Sequence, residues 1–192
     1  PILGLDPKEI LKIVLDIDER ALIVPAHAWT PWFAIFGSMS GFDSIEECFD
    51  EYSKYIYAIE TGLSSDPEMN ANVPALKNIA LLSNSDSHSL LRIGREANVF
   101  NTELSFGSIR SAIIKNDLEK FPYTIEFFPE EGRYHIDGHR VCDFSCLPEE
   151  TEKNNGICPK CERPLTVGVL NRISKLSKKG KKKFRPFKRL VP

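Results

Sequence analysis

The sequence predicts an α/β protein with a small metal-binding module. Two observations carry this. Short apolar runs of strand length alternate with helical stretches, and three successive runs end in potential metal ligands. Downstream, four of the five cysteines cluster at metal-site spacing ahead of a basic tail. The chain has 192 residues, 42% hydrophobic and 27% charged, which suffices for one substantial domain plus a module.

The elements follow in order. Residues 7–19 read as an amphipathic helix, with Asp6 as N-cap and Pro7 at the first helical position. Ala21 to Pro25 is an apolar run of strand length that leads into His27 and Trp29. A second helix covers 44–56, capped by Asp43 or Ser44, and a strand Ile56–Glu60 follows. Pro74 to Asn78 is a brief connection, and Ile79–Ser83 is a third strand, which runs into Asp86-Ser87-His88. A helix at 105–116 and a strand at Ile125–Phe128 complete a unit spanning 1–133. A zinc module spans 134–176, with a short helix from Val167 to Leu176, and 177–192 is a basic linker or tail. Alternation of this kind favours parallel strands, whose C-terminal ends share one face.

Charge divides the chain. No acidic residue follows Glu162, and residues 163–192 hold 11 of the 25 Lys and Arg. The other 14, with all 27 acidic side chains, lie in residues 1–162. An acidic body suits divalent metals and a basic tail suits a polyanion; a solvated tail would look the same. No run approaches the roughly 20 apolar residues that span a bilayer, so a membrane role is excluded from the reading. The chain opens Pro-Ile-Leu-Gly, with neither Met nor a basic n-region, so the expectation is a cytoplasmic protein whose true N-terminus lies upstream.

Alternate residues of an extended segment share a face, so Asp86 and His88 can present a carboxylate and an imidazole to one metal. Glu60 ends a hydrophobic strand, where a carboxylate must be exposed, paired or metal-bound. His27 is placed likewise. His27, Glu60, Asp86 and His88 are therefore candidate metal ligands, while Asp86-Ser87-His88 also reads as a turn pair and His27 as a satisfied strand-end histidine. Trp29, Trp32, Ser64 and Ser65 are the candidate substrate-binding walls, the tryptophans being equally readable as core. Cys142-x3-Cys146 and Cys158-x2-Cys161 form the most specific local signal, a structural zinc site. His139, three positions before Cys142, is an alternative to Cys146 as ligand.

These residues resemble the polymerase-and-histidinol-phosphatase (PHP) superfamily, and within it the endonuclease Q group. The resemblance is carried by Ile23–Phe33, Phe36–Ser38 with Gly41–Glu47, Tyr55–Asp66, Asn84–Ser89, Tyr134–Arg140, Asn155–Cys161 and Leu165–Leu170. It implies a distorted seven-stranded β/α barrel with metals at the strand C-termini, a zinc-containing appendage, and cleavage of DNA 5′ to uracil, hypoxanthine or abasic sites. By position it makes His27, Glu60, Asp86 and His88 the metal ligands, with Zn, Mn or Mg as the ion and Glu60, Asp86 and His88 carrying catalysis, and DNA containing damaged bases is the implied partner. The superfamily also opens with a His-x-His motif and a further Glu that have no counterpart before His27. The expectation is thus a partial barrel, an N-terminally truncated fragment lacking several ligands, whose activity belongs to a longer protein. Two other readings stay open: a small-molecule phosphoesterase of the same superfamily and a noncatalytic DNA-binding fragment.

Overall fold

Proline-started, side-chain-capped helices and short buried strands build the chain, which a computed structural model describes over residues 3–39, 41–180 and 183–190. Lys181, Lys182 and the last two residues of the predicted tail lie outside the described residues. Helix α1 (Pro7–Ile17) begins as the sequence dictates: Asp6 accepts the Lys8 N–H at 2.9 Å. Its Leu11 is buried, and Lys8 reaches Asp50 at 2.9 Å. The second helix is shorter than the predicted 44–56. Helix α2 (Ile45–Phe49), capped by Ser44, gives way to a 3-10 turn over Asp50–Tyr55, with Asp50 at φ 46°.

Strands β1 (Ala58–Glu60) and β2 (Ala80–Leu82) pair in parallel, Ala58 opposite Ala80 and Glu60 opposite Leu82. Both are buried along their whole length, as a strand covered on both faces must be. One core gathers Ile59, Leu81, Trp29, Phe36, Ile45 and Val73. The other gathers Ala58, Ala80, Leu82 and Phe121 with Ala112 and Ile113 of helix α4 (Phe106–Ile114). Between β1 and β2 lies helix α3 (Pro67–Asn70).

The run 21–25 corrects the sequence reading. It alternates faces like a strand, Ile23 toward the first core and Leu22 and Val24 toward the second. It is not a strand, however. Pro25 accepts the Glu60 N–H at 3.0 Å but has no N–H to return. The parallel-strand expectation also holds only in part. Strand β3 (Ala97–Val99) pairs antiparallel with β4 (Tyr123–Glu126), and β7 (Phe187–Arg189) adds to β4 in parallel. Neither β3 nor β7 was expected, and β7 falls in the segment read as linker. The result is a mixed α/β architecture of three small sheets that do not close among the described residues.

The cysteine region starts with the antiparallel pair β5 (Asp137–His139) and β6 (Phe144–Cys146), followed by helix α5 (Pro148–Lys153). Helix α6 (Val169–Leu176), expected from the sequence, packs Val169 and Ile173 into the first core. Arg172 of α6 donates to the carbonyls of Phe36 and Phe42 and pairs with Asp43. Among the described residues no helix is long and apolar enough to cross a membrane.

Candidate active site and metal centre

The ends of β1 and β2 carry the first site. Glu60 is buried, and both its carboxylate oxygens accept hydrogen bonds: Oε2 from the His27 N–H at 2.5 Å, Oε1 from Asn84 Nδ2 at 2.9 Å. These bonds answer the burial of a carboxylate at a strand end. They also hold His27 at φ 30°, a backbone conformation rare for a residue with a side chain. Thr30 Oγ1 lies 3.1 Å from His27 Nδ1, which leaves Nε2 for another partner. Gly62 is required here. Its φ is +68°, and a Cβ would sit 3.1 Å from His27 Cα. Asn84 is fixed in turn by Asn98 of β3, whose amide also donates to the Ser83 carbonyl at 2.8 Å.

A cavity of about 880 Å³ opens above this network. His27, Asp86 and His88 line it, together with Trp32 and Ser64. Asp86 is at φ 44°, and its side chain and that of His88 are exposed, with His88 Nδ1 3.0 Å from the Asp86 carbonyl. Gly132 abuts Leu63 and Ser64 so closely that a Cβ would overlap both.

Trp29 and Ser65 are placed elsewhere. Trp29 is fully buried, stacks on Phe36 with ring centroids 4.7 Å apart, and donates to Asn70 at 2.7 Å. Ser65 is buried and donates to the Thr61 carbonyl. They belong to the core because each finds its polar partner there. Among the described residues, the His27, Glu60, Asp86 and His88 donors do not bring three ligand atoms within 4.8 Å of one another.

The second site does. His139, Cys142, Cys158 and Cys161 place one ligand atom each within 4.8 Å of the others. Cys161 Sγ lies 3.4 Å from His139 Nδ1. Cys146 points away, its sulfur 3.3 Å from Thr151 Oγ1. The hairpin explains the choice. Its register sets Cys146 opposite Asp137, at the far end from the turn, while His139 leads into the turn and Cys142 lies in it. Hydrogen bonding to Cys161, with burial, pushes the Cys142 thiol up to about 11. Burial works the same way on Cys158, but the N–H groups of Lys160 and Cys161, with the Cys161 and Cys142 thiols, together outweigh it and hold that thiol below its ordinary value. Three sulfurs and an imidazole at such separations are a Cys3His donor set of the kind zinc takes.

No family model matches the sequence. Along its whole length the chain matches a crystal structure of endonuclease Q bound to a 27-mer duplex substrate with an abasic lesion at the active site. The TM-score is 0.84 and the identity 32%, covering 100% of this chain and 48% of that one. The lesion-specific endonuclease of Pyrococcus furiosus matches at TM-score 0.81 and 33% identity, over 99% of this chain and 47% of that one. This chain belongs to the endonuclease Q group. An uncharacterized protein of Methanocaldococcus jannaschii is 34% identical over 177 residues, 86% of this chain and 21% of that protein. An uncharacterized Bacillus subtilis protein is 32% identical over 162 residues, 83% of this chain and 40% of its own length. The chain therefore spans less than half the length of each of these relatives.

Some residues of this endonuclease Q-group chain escaped sequence reasoning. Arg92, Arg95 and Arg133 line the cavity with Tyr134, whose ring meets Trp32 edge-on at 6.0 Å. Beneath it lie two buried carboxyls, Glu96 and Glu126. Burial, and then the neighbouring Glu126, pushes Glu96 up to about 8. Burial pushes Glu126 up to about 7 against hydrogen bonds from Thr124 and Thr61. The signal that singled out Glu60, a carboxylate closing an apolar run, is missing at Glu126, which Phe127 and Phe128 follow in the sequence.

Proposed function

We propose that this chain contributes to a metal-dependent DNA-repair endonuclease that hydrolyses the phosphodiester 5′ to deaminated bases (uracil, hypoxanthine) or abasic sites. One observation carries the reading. A cavity with His27, Asp86 and His88 on its walls sits in a fold that matches, end to end, an endonuclease bound to lesion-containing duplex. On this reading the small parallel sheet is part of the distorted barrel of the PHP superfamily.

The donor chemistry fits divalent ions at His27 Nε2, the Asp86 carboxylate and His88, although these atoms do not converge on one point. Bound metal would lower the pKa of a coordinated water and offset charge on the phosphodiester. Glu60 orients His27 through its N–H and keeps lone pairs for ligation. Trp32 and Tyr134 offer aromatic faces to a displaced base. At the second site, His139, Cys142, Cys158 and Cys161 hold structural zinc. Lys and Arg of the tail meet DNA backbone.

The test is cleavage of duplexes carrying uracil, hypoxanthine or an abasic site, beside an undamaged duplex and a small phosphomonoester. The expected product is a nick 5′ to the lesion, abolished by a chelator and by Asp86→Asn. Turnover of the phosphomonoester alone would sink the nuclease reading. A noncatalytic DNA-binding role for this stretch draws support from the separated ligands, and it predicts lesion binding with no metal-dependent nick.

A further inference from the structure

Between Asp86-Ser87-His88 and the buried Glu96 runs a short loop of unusual composition: Leu90, Leu91, Arg92, Ile93, Gly94, Arg95. Leu90 is 86% exposed, Leu91 99% and Ile93 68%. A single exposed leucine is ordinary. Three large apolar side chains in four residues, all turned to solvent, are a patch that has to answer to something outside it.

The loop is not slack. Its tip is a 3-10 turn, with the Arg92 N–H on the Ser89 carbonyl at 3.1 Å and the Ile93 N–H on the Leu90 carbonyl at 3.3 Å. Its base is stapled to one residue. Ser85 Oγ accepts the Gly94 N–H at 2.9 Å and donates to the Glu96 carbonyl, and the Ser85 carbonyl accepts Arg95 Nε at 2.9 Å. Arg95 is also held over the Phe127 ring, 5.6 Å from its centroid. An apolar tip on a hydrogen-bonded stem is preorganised, so little order is lost when the tip enters a partner.

The neighbourhood selects that partner. Leu91, Arg92 and Arg95 line the same cavity as Asp86 and His88, and Arg133 stands on it too, against the acidic Asp86 and Glu131. Apolar side chains flanked by guanidinium groups complement one ligand surface in particular: stacked bases edged by phosphates. Aliphatic side chains entering a base step unstack it, and adjacent cations hold the backbone.

We infer that the Leu90–Leu91 tip is a wedge that enters the base stack of duplex DNA beside the lesion, filling the space a displaced nucleotide leaves, with Leu91 as the leading side chain. This rests on the DNA reading above. It makes Leu91 a positioning residue, needed where a stack must be opened and dispensable where none exists.

The experiment uses the full-length protein and an abasic lesion in two contexts, a duplex and a single strand. The duplex carries 2-aminopurine opposite the lesion to report unstacking. Because Leu91 is almost wholly exposed, Leu91→Ala should melt with the wild type. Loss of a buried leucine side chain at the DNA corresponds to roughly ten- to a hundredfold in an equilibrium constant. Leu91→Ala is therefore expected to lose duplex cleavage to about that extent and to lose the 2-aminopurine signal. It should cleave the single strand within about twofold of wild type, and Leu91→Met should restore the duplex reaction. Unchanged duplex cleavage, or equal losses on both substrates, would overturn the wedge. So would a lowered melting temperature, which would mean that Leu91 packs against protein. A wild type that neither binds nor cleaves lesion DNA fails the functional reading itself. An active wild type with an indifferent Leu91→Ala fails the wedge alone.

Discussion

Removing the metal from the cysteine module should unfold that module and leave the rest standing. Its buried core is Cys146, Cys158 and Leu165, with Cys142, Phe144 and Cys161 packed against them. Four of these six are cysteines. The apolar remainder, Leu165 and Phe144, contributes about 1.5–3 kcal/mol each at full burial, and Phe144 is only partly buried. The sheet is one pair of three-residue strands, marginal by itself in water. Structural zinc supplies roughly 10–16 kcal/mol in comparable small sites, so the metal term dominates whatever packing adds. The assay is zinc stoichiometry together with amide hydrogen exchange over residues 139–165. Wild type should bind one zinc per chain. Chelation, Cys158→Ser or His139→Ala should abolish both the zinc and the protection, while β1 and β2 keep theirs. Cys146→Ser should retain the zinc, since that sulfur is turned to Thr151. Unchanged protection of 139–165 in metal-free protein would refute the reasoning. Loss of zinc from Cys146→Ser with retention in His139→Ala would refute the ligand assignment.

Three further predictions concern buried polar groups. Glu96 sits above the ordinary carboxylate value of about 4.3, at about 8, because of burial, Glu126 and Glu60, with Arg95 opposing. The folded state therefore keeps a proton the unfolded chain has lost, and stability present below about pH 4 falls as pH rises toward 8, by at most about 1.4 kcal/mol per unit. Glu96→Gln should match wild type in urea melts near pH 4 and exceed it near pH 8; parallel pH profiles would contradict this. Asp137→Ala should cost at least about 3 kcal/mol in the same melts, because Gly168 N–H, Asn171 Nδ2 and Thr151 Oγ1 all lose their acceptor. Arg189→Ala strands the buried Asp66 carboxylate, which it meets at 2.5 Å, and should cost on the order of 2 kcal/mol; a neutral result would mean that the Arg189–Asp66 pair contributes nothing to the fold.

What the sequence discloses here follows the range of the interaction concerned. Helix α1 and strands β1 and β2 were legible because caps and apolar runs are local signals. The cysteine spacing was legible for the same reason. The choice between His139 and Cys146 was not, since it depends on a hairpin register that spacing does not encode. Trp29 read equally well as cavity wall or core because its deciding partner, Asn70, lies 41 residues away. Strand β7 was hidden in a Lys-rich segment. It forms against the free edge of β4, where Arg185 is buried over the Phe121 ring, and nothing within residues 183–190 announces that.

The cavity residues show how far a local signal reaches. A carboxylate ending an apolar strand marks a group whose burial must be answered, and it does not say by what. At Glu60 the answer is the His27 N–H and the Asn84 amide; at Glu126 it is two threonine hydroxyls; at Glu96 one oxygen accepts the Phe127 N–H and the other, buried, accepts nothing. Three buried carboxylates of one fold thus become a scaffold for a ligand, a satisfied core acid and an acid whose proton burial holds, although only Glu60 closes an apolar run in the sequence. Only the fold separates them, through the positive φ of His27 and the close approach of Gly62 that together bring a backbone N–H to the Glu60 carboxylate.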